Sequence, residues 1–152
     1  MIVDERQLDS LPRPLAMVDG CFDPLHKGHV EYFRHAATLG ASVLCNLAAD
    51  EYILRMKKRA PLLPEEHRAA VIDAMRSIDF VFVTRHGTLW SLERLRPSHY
   101  VKGADWRGKL PGEQVEACRR LGIEIVYADC VLDSSTRLLE SFLRATKDSQ
   151  GR

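Results

Sequence analysis

Apolar positions along the chain fall into two patterns. Short, nearly unbroken runs recur as "LAMVD" (15–19), "ASVLCNLAA" (41–49), "DFVFVT" (79–84), "SHYVKG" (98–103) and "IEIVYA" (123–128). Runs of this length without polar alternation suit strands buried on both faces. Between them the spacing turns helical. Val30, Phe33 and Ala37 recur between Lys27 and Leu39, and Gly40 is a natural stop. "PEEHRAAVIDAMRS" (64–77) opens with Pro64, Glu65 and Glu66, which suit the first turn and the positive end of the dipole. Arg76 suits the negative end. "LWSLERLR" (89–96), "GEQVEACRRLG" (112–122) and "SSTRLLESFLRAT" (134–146) are further helices, the last with serines where a cap belongs. Strands alternating with helices predict an α/β fold, a doubly wound five-stranded parallel sheet with helices on both faces.

Composition narrows the picture. A chain of 152 residues is one domain with room for a real core. Residues 1–13 are expected to be an N-terminal extension, and "KDSQGR" (147–152) a loose polar tail. A net charge of +1 provides no bulk field to recruit nucleic acid or an anionic membrane. No apolar run reaches the roughly 18 residues of a spanning helix. "MIVDERQLDS" is acidic where a signal peptide would be basic. The cysteines Cys21, Cys45, Cys118 and Cys130 form no CxxC pair, which fits reduced thiols and a cytoplasmic location. There is no internal repeat, low-complexity segment or linker.

The candidate chemistry sits in "VDGCFDPLHKGH" (18–29), the turn from the first predicted strand into the first helix. Ligands of parallel sheets bind outside the carboxyl ends of the strands. Gly20 permits close backbone approach, and Gly28 removes a side chain where a ligand can pack. His26 falls just before the helix and His29 in its first turn. That helix end offers free N–H groups and positive potential, to which two imidazoles add hydrogen-bond donors for phosphate. A lone histidine here would be read as a cap or a packed residue. The pairing, the glycines and the position favour a phosphate site. Zinc on Cys21, His26 and His29 fits by ligand type but lacks a fourth ligand at a usual spacing. No resident metal is expected.

"GCFDPLHKGH" resembles the G-x-F-D-x-x-H-x-G-H motif of the cytidylyltransferase-like nucleotidyltransferases. The resemblance runs from about residue 15 to 142, through "RMKKRAPLLPEEHRAAV", "DFVFV", "VKGADW" and "SSTRLL" in order. The chain is most similar to the ADP-heptose synthase nucleotidyltransferase branch. It is less similar to glycerol-3-phosphate cytidylyltransferases, which carry an arginine and a glycine where this chain reads "DCVLDSST". It departs from the heptose pattern at Asp19, which stands where asparagine is usual, at Pro24, at "NLAADEY" and at "SSTR".

The resemblance implies a Rossmann-like sheet and transfer of a nucleotidyl group from a nucleoside triphosphate, ATP rather than CTP, to a phosphorylated sugar or polyol. His26 and His29 would stabilise charge on the phosphates. Lys57 or Lys58, on a mobile loop after the second strand, would reach the triphosphate, and Lys102 would act beside them. Gly20, Cys21, Phe22, Asp23, Gly28, Arg68, Gly103 and Asp105 would line the nucleotide site, Cys21 as a small packing residue and not a nucleophile. Asp105 would hold ribose hydroxyls or help bind magnesium. Ser134, Ser135 and Thr136 would make a second anion-binding helix start. Asp19 and Trp106 would face the substrate, Asp19 being odd beside phosphates unless a metal or an amine faces it. Mg²⁺ would accompany the triphosphate. The expected partners are these two small molecules and a second copy of the chain, with neither nucleic acid nor membrane. A cytidylyltransferase using glycerol-3-phosphate or a similar acceptor is the alternative. A nucleotide-binding module without turnover, or a tRNA-linked role through the shared H-x-G-H motif, is further from the residues present.

Overall fold

A computed structural model of the chain describes residues 1–129 and 135–150. Six strands form one parallel sheet: β1 (Ile2–Val3), β2 (Leu15–Gly20), β3 (Ser42–Ala48), β4 (Phe80–Thr84), β5 (His99–Gly103) and β6 (Glu124–Ala128), in the order β1-β4-β3-β2-β5-β6. The chain builds outward from β2 through β3 to β4, then crosses back to lay β5 and β6 on the other side of β2. The order therefore reverses between β2 and β5, where Val18 pairs with Val101. That switch point is where a parallel sheet opens a crevice.

The unbroken apolar runs are explained by two cores, one on each face. Ala16 and Val18 point to one side with Phe33, Val43, Cys45 and Ile72. Leu15 and Met17 point to the other with Leu44, Leu92, Leu95 and Tyr100. Helices α1 (Lys27–Ala37) and α3 (Glu65–Asp73) supply the first face, and α4 (Thr88–Leu95) and α5 (Gly112–Leu121) the second. Gly40 follows α1 at φ +68°, a conformation that favours glycine.

The structure departs from the sequence expectations in four places. First, β1 pairs with β4 through Ile2–Val81 and Val3–Phe82, so the sheet has a sixth, edge strand. Behind it Asp4 caps a 3₁₀ turn, Glu5–Ser10, by a reciprocal box with Gln7, and Leu8 is buried. The expected extension is thus part of the second core; a two-residue strand is too short to show alternation. Second, residues 50–57 form a helix, α2 (Asp50–Lys57), in place of a loop, with Asp50 and Glu51 in its first turn and Ile53 as its buried contact. Third, α3 stops at Asp73, so Arg76 lies beyond it. Fourth, the last helix, α6 (Ser135–Gln150), runs into the stretch expected to be loose. Leu138, Phe142 and Leu143 are exposed on α6. No helix among the described residues is long and apolar enough to cross a membrane.

If the N-terminal turn belongs to the core, Leu8→Ala should lower unfolding free energy by about 2–5 kcal/mol in a denaturant titration. A change below about 0.5 kcal/mol would make residues 1–13 the mere extension that their sequence suggests.

Candidate active site

The loop from β2 to α1 is shaped by its own side chains. Phe22 adopts φ +49° and folds its ring back into the first core. A Cβ on Gly20 would lie 3.0 Å from Phe22 Cζ, so the glycine makes room for the neighbouring ring. Phe22 then meets His29 edge-on, with centroids 4.9 Å apart, and Phe33 at 5.0 Å. Its side chain is a buttress at the edge of the first core and also lines the smaller of the two cavities described below. His26 occupies the N-cap of α1 in an extended conformation, and its carbonyl accepts from the His29 N–H at 2.9 Å. Gly28 is buried in the first turn. Three residues apart on one helix face, the imidazoles of His26 and His29 stack with centroids 3.8 Å apart and planes at 25°. Burial, reinforced by His26 and Lys57, pushes His29 down to about 3, leaving its ring neutral at pH 7.

Two buried charges fix this loop from beneath. The Asp23 carboxylate accepts from the backbone N–H of Leu62 (2.8 Å) and Leu63 (3.0 Å) and from Arg59 Nη1 (2.8 Å). Burial works against its ionisation, but these donors outweigh it and hold the carboxyl below its ordinary value. Arg68 donates from Nε to the Leu63 carbonyl (2.9 Å), from Nη1 to the carbonyls of Cys21 (2.7 Å) and Ala48 (2.8 Å), and from Nη2 to Asp50 Oδ1 (2.6 Å). Its side chain is inaccessible to solvent. Arg68 lines neither of the cavities described below, while Asp23 also lines the smaller one. They tie the motif loop to segment 59–63 and to the end of β3.

Above this scaffold two adjoining cavities open at the switch point, of about 400 and 240 Å³. Both are lined by Asp19, Gly20, Cys21, Lys57, Lys102 and Trp106. His29, Gly103 and Ser135 line the smaller one. Lys57 ends α2 and reaches both; Lys58, in the left-handed cap at φ +54°, lines neither. Of the two lysines, the one that lines the cavities is Lys57, and it stands on a helix. Lys102 is buried, with Nζ 2.8 Å from Asp19 Oδ1 and 4.4 Å from the Trp106 ring centroid. The amine that faces Asp19 is the chain's own. Asp105 is exposed and lines neither cavity. Ser135 Oγ donates to the Pro24 carbonyl at 3.0 Å, joining the start of α6 to the motif loop. Ser134 and Cys130 lie outside the described residues, as does the side chain of Thr136. Among the described residues no three or more His, Cys, Asp and Glu side chains could hold a metal ion.

The far wall of the larger cavity escaped the sequence reading. Asn46, Tyr52, Thr84, Thr88, Tyr100 and Gln114 line it. Several sit at strand ends or helix starts, a positional signal available once the strands are placed. Their residue types alone carry none.

The cytidylyltransferase-like family model matches residues 17–142. The chain belongs to the cytidylyltransferase-like family. It is a nucleotidyltransferase with the α/β sheet that the family motif led one to expect. It is 35% identical over 138 residues to the bifunctional protein HldE of Magnetococcus marinus, covering 88% of this chain and 28% of that protein. Against HldE of Geobacter sulfurreducens it is 35% identical over 135 residues, covering 86% and 27%. The chain thus spans less than a third of these curated relatives. Among solved structures, a lipopolysaccharide core biosynthesis protein from Thermoplasma volcanium aligns with a TM-score of 0.65 at 24% identity, covering 78% of this chain and 98% of that one. That likeness speaks for the fold.

Two measurements test this cytidylyltransferase-like site. In the ligand-free protein, NMR titration should find the His29 ring neutral across pH 5–8, and its ordinary midpoint near 6.5 should be absent. Because the folded value is depressed, the unfolded chain takes the proton first, so the contribution of His29 to stability falls as pH drops below about 6.5. Asp23 has the same sign in a lower window: its folded value is depressed too, so its contribution is likewise lost as pH falls, below about 3.9. Asp23→Asn should cost about 3 kcal/mol at neutral pH by unpairing Arg59 and the loop N–H groups. That difference should shrink as pH falls below about 3.9 and through the depressed folded value. A difference constant down to pH 2 would show that the charge of Asp23 is not what holds the loop.

Proposed function

We propose that this chain transfers a nucleoside monophosphate from a nucleoside triphosphate, with ATP favoured, to a phosphorylated sugar or polyol of the heptose phosphate kind. An acceptor phosphate oxygen attacks the α-phosphorus, the bond to the β-phosphate bridging oxygen breaks, and pyrophosphate leaves. Attack is direct, with no covalent enzyme intermediate. The observation that carries the reading is the convergence of His29, Lys57 and Lys102 on adjoining cavities at the sheet switch point, with His26 stacked on His29 at the start of α1. A neutral His29 can donate one hydrogen bond to a phosphate oxygen, and the two lysines supply positive charge where negative charge grows. Two cavities sharing a wall suit two substrates held for in-line reaction. Magnesium would enter on the triphosphate and neutralise it; the carboxylate on the shared wall, Asp19, is already engaged by Lys102.

The preference for ATP rests on the likeness of "GCFDPLHKGHVEYF" and "RAPLLPEEHRAAV" to the heptose branch and on the missing arginine and glycine before "SST". Trp106 in "KGADW" favours the second reading, a CTP-dependent enzyme acting on glycerol-3-phosphate or a similar acceptor. A cytoplasmic homodimer without nucleic-acid or membrane partners completes the proposal.

A matrix of triphosphates against sugar and polyol phosphates, scored by pyrophosphate release, tests it. Release with ATP and a heptose phosphate is expected, and His29→Ala should reduce kcat by about a hundredfold or more with the fold intact. A near wild-type kcat in that variant sinks the role of the histidine. Activity with CTP alone overturns the nucleotide. No release with any pair overturns the reaction.

A further inference from the structure

Lys102 and Asp19 stand at the tips of β5 and β2, one residue beyond the Val18–Val101 pair and so astride the switch point. Their side chains are each 9% exposed, and both line both cavities. Asp19 does more than neutralise the lysine. Its Oδ1 accepts from Lys102 Nζ at 2.8 Å, and its Oδ2 accepts from Thr88 Oγ1 at 2.9 Å. The Tyr100 hydroxyl lies between Oδ2, at 3.4 Å, and Gln114 Oε1, at 3.2 Å. One carboxylate thus joins α4, β2, β5 and, through Tyr100, α5. On its other side the ammonium of Lys102 rests over Trp106.

A lysine has four rotatable bonds and no preferred station when it is exposed. Here a carboxylate and an indole fix the ammonium between the two spaces. The carboxylate itself is held by hydroxyls from either side. We infer that Asp19 is a positioning residue: it fixes the Lys102 ammonium on the wall shared by the two cavities, where it can touch both phosphates in the transfer. Asparagine at this place would keep the shape. Its single carbonyl oxygen would have to serve three donors, and its NH₂ would turn toward one of them. The inference rests on the nucleotidyl-transfer reading for its purpose but not for its geometry.

The chain has two tryptophans, so its indole N–H region in a ¹H–¹⁵N spectrum should hold two cross-peaks, assigned with Trp90→Phe. Lys102→Met should displace the Trp106 cross-peak. Asp19→Asn should displace it in the same direction, and the double variant, which buries no unpaired charge, should match Lys102→Met. A Trp106 cross-peak at its wild-type position in either single variant overturns the inference. In turnover assays Asp19→Asn should lower kcat at least about tenfold with KM for the triphosphate changed less than about threefold, as expected of an interaction made in the transition state. The double variant should lose no more than Lys102→Met, because a residue that acts through another is non-additive with it. Losses that multiply would show Asp19 acting independently and overturn it. If no pair of substrates gives pyrophosphate, the reaction reading fails, and the indole arm still decides whether Asp19 holds Lys102.

Discussion

The arrangement depends first on one buried cation. Arg68 has no solvent to satisfy its guanidinium, so its donors must be met within the protein, and it meets them with carbonyls from three separate segments and one carboxylate. The carbonyls belong to the motif loop (Cys21), the end of β3 (Ala48) and the approach to α3 (Leu63). Secondary structure leaves each of them unpaired at the lip of the sheet. One planar side chain thus joins two strand ends and the approach to a helix into a rim. Asp23 does the converse with opposite charge, collecting backbone donors from Leu62 and Leu63 and the side chain of Arg59. Breaking either hub would leave a charge buried without its partners, which is far costlier than losing an exposed ion pair.

The topology decides where such a rim can be useful. Parallel strands send their carboxyl ends to one edge, and the reversal between β2 and β5 leaves no crossover covering that edge. The side chains that follow the last β2–β5 pair, Asp19 and Lys102, are therefore brought into the same space. The nearby start of α1 brings the His29 ring to its wall, with His26 stacked on it. Position here comes from the sheet, and chemistry from a few residues at its tips.

Much of this was legible in the sequence because it is local. Unbroken apolar runs report strands buried on both faces, and the three-residue spacing of His26 and His29 reports a shared helix face. The scaffold roles of Asp23 and Arg68 were not legible because most of their main-chain partners lie 20 to 47 residues away, and no residue type announces that such groups are available. Polar residues in a motif look like ligand contacts; the structure adds a scaffold role for both, with Asp23 also on the wall of the smaller cavity. Helix α2 was missed because a single buried residue, Ile53, anchors it and leaves no stripe to detect. Strand β1 is two residues long and becomes a strand only through pairing with β4.

Gly20 and Phe22 are bound together in a way that bears on how such a chain can change. The glycine is small because the ring folds back over it, and the ring can fold back because the glycine is small. A methyl group at position 20 would push the ring toward His29 and Phe33, both already in contact with it. A smaller residue at position 22 would accommodate that methyl but leave His29 without its backing. The two positions therefore drift as one unit or not at all, and a single-letter change at either is a move into a valley. Any chain that alters this corner must cross it with a paired exchange that also rebuilds the wall behind the histidine.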